Sequence, residues 1–129
     1  MRLRTFLRSK IHRATVTEAN VDYIGSITLD EALMETADLA EYELVTVADL
    51  DNGERLETYV IRGARGSGVV GINGAAALKI GIGDEIIIFA YSQMTEDEIA
   101  AIKPKIVFVD ERNRITSVAQ LETPETHPV

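Results

Sequence analysis

The sequence predicts a small, mainly β domain: a barrel of short strands with short helices at the turns. Three observations carry this. β-Branched, extended stretches recur along the chain, separated by Gly, Asn and Asp. The helical patterns between them last only a turn or two, too short for the crossovers of a parallel βαβ sheet. A length of 129 residues, with 46% hydrophobic and 26% charged side chains, suits one ordinary core and not a disordered chain.

Residues 3–16 are β-branched and basic without helical period, and are expected to form a strand. Residues 21–30 read as two short extended pieces around Gly25-Ser26. Asp30 can N-cap a short helix running to Asp38. Residues 44–50 form a strand, and Asp51-Asn52-Gly53 a tight primed hairpin turn, because Asn-Gly tolerates positive φ. Residues 56–61 return as its partner. Alternation there puts Arg55, Glu57 and Tyr59 on one face, and Leu56, Thr58 and Val60 on the other. Residues 63–74 hold five of the nine glycines. One helical turn follows at 74–79, a turn at 81–84 and a buried strand at 85–92. Thr95 and Glu98 have capping-box spacing for a helix reaching Ile102. Short strands at 105–109 and 115–118 flank Glu111-Arg112-Asn113. Residues 122–129 read as a loose polar tail, leaving one domain over residues 1–121.

The composition excludes several function classes. The absence of cysteine removes disulfides, thiolate metal sites and cysteine nucleophiles, and fits a reducing cytoplasm. His127 lies in the tail, so histidine chemistry would fall to His12, and a lone histidine is more often structural. The net charge of -8 repels a phosphate backbone, and 5% aromatics without Trp give no stacking platform. Arg2, Arg4, Arg8, Lys10 and Arg13 alternate like the polar face of a strand, so no nucleic-acid partner is expected. The longest apolar run, 86–91, is far too short to span a bilayer, and the charged N-terminus lacks a secretory h-region. No membrane partner and a cytoplasmic location are expected.

Single motifs are weak. Gly66-Ser67-Gly68-Val69-Val70-Gly71 fits G-x-G-x-x-G, but a strand-like, glycine-broken stretch follows where a dinucleotide fold needs a helix. Bends in a barrel explain these glycines better. Ser26 and Ser67 lack a G-x-S-x-G elbow. With one histidine in the body and no clustered ligands, metal binding is poorly supported. Glu96-Asp97 reads as a solvated helix start. Arg55 is the single base among twelve acids in residues 18–57, which makes it a surface salt-bridge partner or a clamp for an anion. Gly25-Ser26 is an ordinary turn dipeptide with one chemical option. If the turn is strained, and with no Cβ at residue 25, the Ser26 hydroxyl can attack the Gly25 carbonyl. The amide becomes an ester, β-elimination breaks the chain to leave dehydroalanine, and hydrolysis gives a pyruvoyl group.

In order along the chain, several blocks resemble the pyruvoyl-dependent aspartate 1-decarboxylase family. They are Lys10-Ile11-His12-Arg13-Ala14-Thr15-Val16-Thr17; Tyr23-Ile24-Gly25-Ser26; Asn52-Gly53 with Arg55 and Thr58-Tyr59; Arg65-Gly66-Ser67-Gly68; Ile72-Asn73-Gly74-Ala75-Ala76-Ala77; and Gly83-Asp84 before an apolar strand. The resemblance runs from Met1 to about Ile115. It implies a double-psi β-barrel and a homotetramer with active sites near subunit interfaces. It also implies self-cleavage between Gly25 and Ser26, converting Ser26 into a covalently bound pyruvoyl group. The implied reaction is decarboxylation of L-aspartate to β-alanine and CO2 for pantothenate and coenzyme A synthesis. The substrate amine would condense with the pyruvoyl ketone, with no metal or pyridoxal phosphate.

By matching position, the resemblance implies that Thr58 assists processing at Gly25-Ser26 and that Tyr59 donates a proton. It places Lys10 and Arg55 near the substrate carboxylates, with Thr58, Asn73, Gly74 and Ala75 also binding substrate. His12, Tyr23 and Ala76 would line the site. Asp22 and Leu78 stand where many members carry histidine. The sequence specifies no maturation partner. Two alternatives stay open: a non-catalytic double-psi barrel serving as a binding module, and a pyruvoyl decarboxylase of another amino acid.

Overall fold

Alternation decides where the strands lie. In β7 (Glu85–Met94), Ile86, Ile88 and Ala90 are buried while the residues between them point outward, the period of two that a half-buried strand requires. The same pattern builds β1 (Arg4–Thr15), β4 (Leu44–Asp49) and β5 (Arg55–Gly63). The computed structural model describes residues 1–124. It adds β2 (Glu18–Asn20), β3 (Ser26–Asp30), β6 (Val70–Asn73), β8 (Lys105–Val109) and β9 (Ile115–Ala119). Two short helices, α1 (Glu31–Thr36) and α2 (Glu96–Ala101), and a 3-10 turn at Gly74–Leu78 complete the elements.

The strands form one mixed sheet in the order β2-β6-β3-β5-β4-β7-β1-β8-β9. β1 lies between β7, antiparallel, and β8, parallel. β3 runs parallel to β5, and β2 parallel to β6. The segment after β1 closes onto β6 from the far side of the sheet: Thr17 N donates to Val70 O at 2.8 Å, and Val70 N to Thr17 Oγ1 at 2.9 Å. This curling is consistent with the expected barrel. It encloses one core that includes Ile11, Ile27, Leu29, Val47, Val60, Ile72, Ile86 and Ile88. Each such side chain contributes about 1.5–3 kcal/mol on burial.

Two buried polar side chains act as joints. The Asp30 carboxylate caps α1 at Ala32 N and also accepts from Gly66 N and Gly68 N, at 2.8–2.9 Å. Burial alone would raise the Asp30 pKa, but these three backbone donors, aided by Arg114, outweigh it and hold the group below the ordinary carboxylate value. Asn113 donates to Thr15 O and Gly68 O and accepts from Thr15 N, all at 2.8 Å. The glycine-rich stretch therefore leads into β6, not a helix, as its glycine-broken pattern predicts.

Some expectations needed correction. Of the two extended pieces expected at 21–30, only the second is a strand; residues 21–23 form a turn and bend, and β2 lies just before them. The β4–β5 connection is wider than a two-residue primed turn. Asp49 N donates to Glu54 O, and Gly53 N to Asp49 O, so four residues make the loop. Only Gly53 there has positive φ, 76°. The capping box at Thr95 and Glu98 forms as predicted. All five basic residues of the N-terminal stretch are ion-paired: Arg2 and Arg4 with Glu96, Arg8 with Glu43, Lys10 with Glu122 and Arg13 with Glu85. No helix among the described residues is long and apolar enough to cross a membrane. The expected tail at 122–129 lies mostly outside the described residues, as does His127.

Candidate functional site

The site begins where two strands fall out of step. The β3–β5 ladder starts at Ile27–Val60, so β5 has no partner on that side before Val60. Beside this free edge opens a cleft of about 570 Å³, lined by Leu56, Glu57, Thr58 and Tyr59 of β5 and by Gly25, Leu44, Asn73, Ala75, Ala76 and Lys79. An unpaired edge explains why four consecutive β5 residues line it although their side chains alternate.

Gly25 lines the cleft, and Ser26 is buried directly beside it. Ser26 is 1% exposed, and its hydroxyl is fixed twice. It donates to Ile24 O at 2.9 Å and accepts from Asn73 Nδ2 at 3.0 Å. The same Asn73 nitrogen donates to Thr28 Oγ1 at 3.0 Å. Asn73 is placed to do this because β6 pairs antiparallel with β3, Asn73 opposite Ser26. Next along, Gly74 has φ +75°, and a Cβ there would lie 2.6 Å from Gly25 Cα. Only glycine lets the 3-10 turn press this closely on the Gly25 backbone. Gly25 itself is not in the left-handed region. It provides openness: a Cβ on it would meet nothing within 4 Å.

The two expected carboxylate-binding cations form a separate group. Lys10 Nζ lies 5.7 Å, and Arg55 Cζ 4.9 Å, from the centroid of the Phe89 ring, both within cation–π range. Registers explain this, since Phe89 is opposite Lys10 on one side and Thr46 of β4 on the other, with β5 beyond. Arg55 also donates to Tyr91 Oη at 3.4 Å. Among the described residues Arg55 has no carboxylate partner, which favours the anion-clamp reading over the surface salt bridge. Lys10 instead pairs with Glu122 at 2.5 Å.

Tyr59 packs near Tyr42, with ring centroids 6.0 Å apart. Tyr23 is half-exposed, and its carbonyl lies against Gly74. His12 does not line the Gly25 cleft, though it lies near Lys10 on β1. It meets Phe108 edge-on and lines another cavity, of about 460 Å³, with Arg13, Glu85 and Asp110. Burial, then Lys10 and Arg13, lower its pKa. Asp22 accepts no role at the cleft; its N–H bonds Asn20 Oδ1. Leu78 is largely exposed.

The fold thus brings together Gly25, Ser26, Thr58, Tyr59, Asn73, Gly74, Ala75 and Ala76, and separately Lys10 with Arg55. Sequence reading missed Phe89 and Tyr91, whose only signal was their place on the outer face of the 85–92 strand. It also found no clustered metal ligands, whereas pairing of β4 with β7 gathers Asp49, Asp51 and Asp84. Burial, then contact with Asp84, pushes Asp49 up to about 6, and the same contact holds Asp84 below the usual carboxylate value.

Comparison with known proteins gives consistent matches. The sequence model of the aspartate decarboxylase family matches residues 1–116. The aspartate 1-decarboxylase of Caldicellulosiruptor saccharolyticus is 56% identical over 116 residues, covering 90% of this chain and 91% of that protein. That of Acetivibrio thermocellus is 56% identical over 118 residues, covering 92% and 94%. That of Clostridium kluyveri is 54% identical over 116 residues, covering 90% and 91%.

Proposed function

The chain belongs to the aspartate decarboxylase family, and from that premise we propose that it decarboxylates L-aspartate to β-alanine and CO2 for pantothenate and coenzyme A synthesis. The reading rests on one observation above all: the Gly25–Ser26 bond stands at the cleft, with the Ser26 hydroxyl held by Ile24 and Asn73. Cleavage there turns Ser26 into a pyruvoyl group. The surroundings fit that group. The Cβ side of Gly25 is open, and the nearby Asn73 amide can donate to an oxygen after the hydroxyl is gone. When formed, the pyruvoyl group supplies an electrophilic carbonyl that takes up the substrate amine and accepts the electron pair left by CO2.

The chain's own residues do the rest. Thr58, on the cleft wall with Gly25, assists cleavage. Ser26 is the sole source of the carbonyl. Arg55, which forms no ion pair among the described residues, holds a substrate carboxylate through its planar guanidinium, with Lys10 as the second cation. Tyr59 returns a proton to the product carbon. Asn73, Gly74 and Ala75, with Ala76 beside them, shape the pocket around the substrate, and Tyr23 and His12 border it in the assembly. The separation of Lys10 and Arg55 from the Gly25 cleft within one chain supports sites near the subunit interfaces of a homotetramer. Exposed Ile24, Tyr42 and Leu44 offer apolar surface for such contacts. Residues 1–121 make the single catalytic domain of a cytoplasmic enzyme.

Mass spectrometry of the purified protein tests this, combined with assays on aspartate and glutamate. Two chains, the larger starting in pyruvoyl, with turnover of aspartate, are expected. One intact chain without turnover would leave a non-catalytic barrel, and preference for glutamate would change the substrate.

A further inference from the structure

A second cluster, none of whose members lines the Gly25 cleft, is unexplained by this chemistry. Asp49 ends β4, Asp51 lies in the following loop, and Asp84 directly precedes β7. One carboxylate oxygen from each lies within 4.8 Å of the others. The two loops cannot drift apart, because β4 pairs with β7 at Asp49–Ile86 and Leu50 N donates to Glu85 O at 2.9 Å.

Each carboxylate has one oxygen anchored by a backbone donor. Asp49 Oδ1 accepts from Asp51 N at 2.7 Å, Asp51 Oδ2 from Glu85 N at 2.8 Å, and Asp84 Oδ2 from Gly81 N at 3.0 Å. The remaining Asp49 oxygen, Oδ2, is sealed from solvent and, among the described residues, accepts from no N–H or hydroxyl donor, in a residue only 2% exposed. Among the described residues, no Lys, Arg or His forms an ion pair with any of the three; the neighbouring cations Arg13 and Lys79 pair with Glu85 and Glu54 instead. A buried carboxylate oxygen without a protein donor, beside two more carboxylates, is costly unless a cation or a shared proton joins them.

We propose that Asp49, Asp51 and Asp84 form a calcium-class cation site that clamps the β4–β5 loop to the start of β7. The donor set is all oxygen, without nitrogen or sulfur, which favours a hard cation over zinc or copper. Calcium–oxygen distances of about 2.3–2.6 Å let oxygens up to roughly 5 Å apart share one ion, and the three carboxylate oxygens lie within 4.8 Å of one another. Water completes the coordination on the exposed Asp51 side.

The test uses the full-length purified protein, stripped with chelator and titrated with calcium chloride alone, followed by calorimetry and thermal melting. Saturable binding of one ion per chain is expected, with Tm raised by about 3 °C or more near saturation. Asp84→Asn should abolish both effects. Asp51→Asn, at an exposed position that leaves the fold intact, should weaken binding at least tenfold. A carboxyl–carboxylate pair sharing a proton would account for the same geometry without an ion. In that case calcium shows no saturable binding up to millimolar concentration and Asp49→Asn raises Tm in chelator, which overturns the proposal. Binding that persists unchanged in both Asp51→Asn and Asp84→Asn overturns it equally, as ion capture elsewhere on an acidic surface.

Discussion

Asn73 holds Ser26 by its hydroxyl: one amide nitrogen donates to Ser26 Oγ and, equally at 3.0 Å, to Thr28 Oγ1. Replacing Asn73 by Leu removes the donor and leaves two hydroxyls short of a partner. A lost buried hydrogen bond costs about 1–3 kcal/mol, so self-cleavage should slow roughly ten- to a hundredfold. The cleaved fraction over time, read by mass spectrometry, measures this. Unchanged cleavage would remove Asn73 from processing.

Gly74→Ala should damage the protein more than Gly53→Ala. Both positions have positive φ, which costs an L-residue about 1 kcal/mol. At Gly53 the new methyl meets nothing, while at Gly74 it lies 2.6 Å from Gly25 Cα. Thermal melts should rank the two, and only the Gly74 variant should also lose processing, because its methyl displaces Gly25 beside the proposed cleavage bond.

Arg55 and Tyr59 should separate binding from chemistry. Among the described residues Arg55 forms no ion pair, so Arg55→Lys should leave Tm within a degree or two while raising KM for aspartate about tenfold or more. Tyr59→Phe should process normally yet lose most of kcat. Steady-state kinetics on the processed chains decide both points. A KM unchanged in Arg55→Lys, or full turnover in Tyr59→Phe, would reassign the residue concerned.

Acid should expose the Asp30 joint. Its folded pKa lies below the ordinary carboxylate value. The stabilisation it gives is therefore complete above that ordinary value, near pH 4, and is lost as pH falls through the folded pKa. Asp30→Asn should cost about 1–3 kcal/mol at pH 7, since its amide nitrogen cannot accept from the Gly66 or Gly68 backbone. It should also flatten the acid limb of Tm against pH. An acid limb identical to wild type would show that other carboxylates set it.

Much of the strand map was legible because alternation survives wherever one face is buried, as at Ile86, Ile88 and Ala90. Helix caps were legible because Asp30 and Thr95 act within a few residues of themselves. The site was legible only as ordered motifs, not as geometry. The cleft exists because β3 meets β5 from Val60 onward, a long-range register that no local spacing reports. The Phe89 platform needs β1, β4 and β7 in register at once. The Asp49–Asp84 contact joins residues 35 apart through strand pairing, so separate acids in the sequence became a cluster in space. The Asn52-Gly53 signal gave the right hairpin with the wrong loop length, since backbone bonds at Asp49 close a wider turn.

The position of β1 gives the proposed cleavage a further consequence. β1 belongs to the fragment ending at Gly25, yet it sits inside the sheet, bonded to β7 and β8 of the other fragment. The short piece cannot leave without dismantling the barrel. Once cut, the unfolded state is two molecules, and recovery becomes a second-order encounter that slows on dilution. Folding of the intact precursor is unimolecular. The protein would thus assemble under one kinetic law and, after the cut, persist under another, its lifetime set by how slowly the sheet opens.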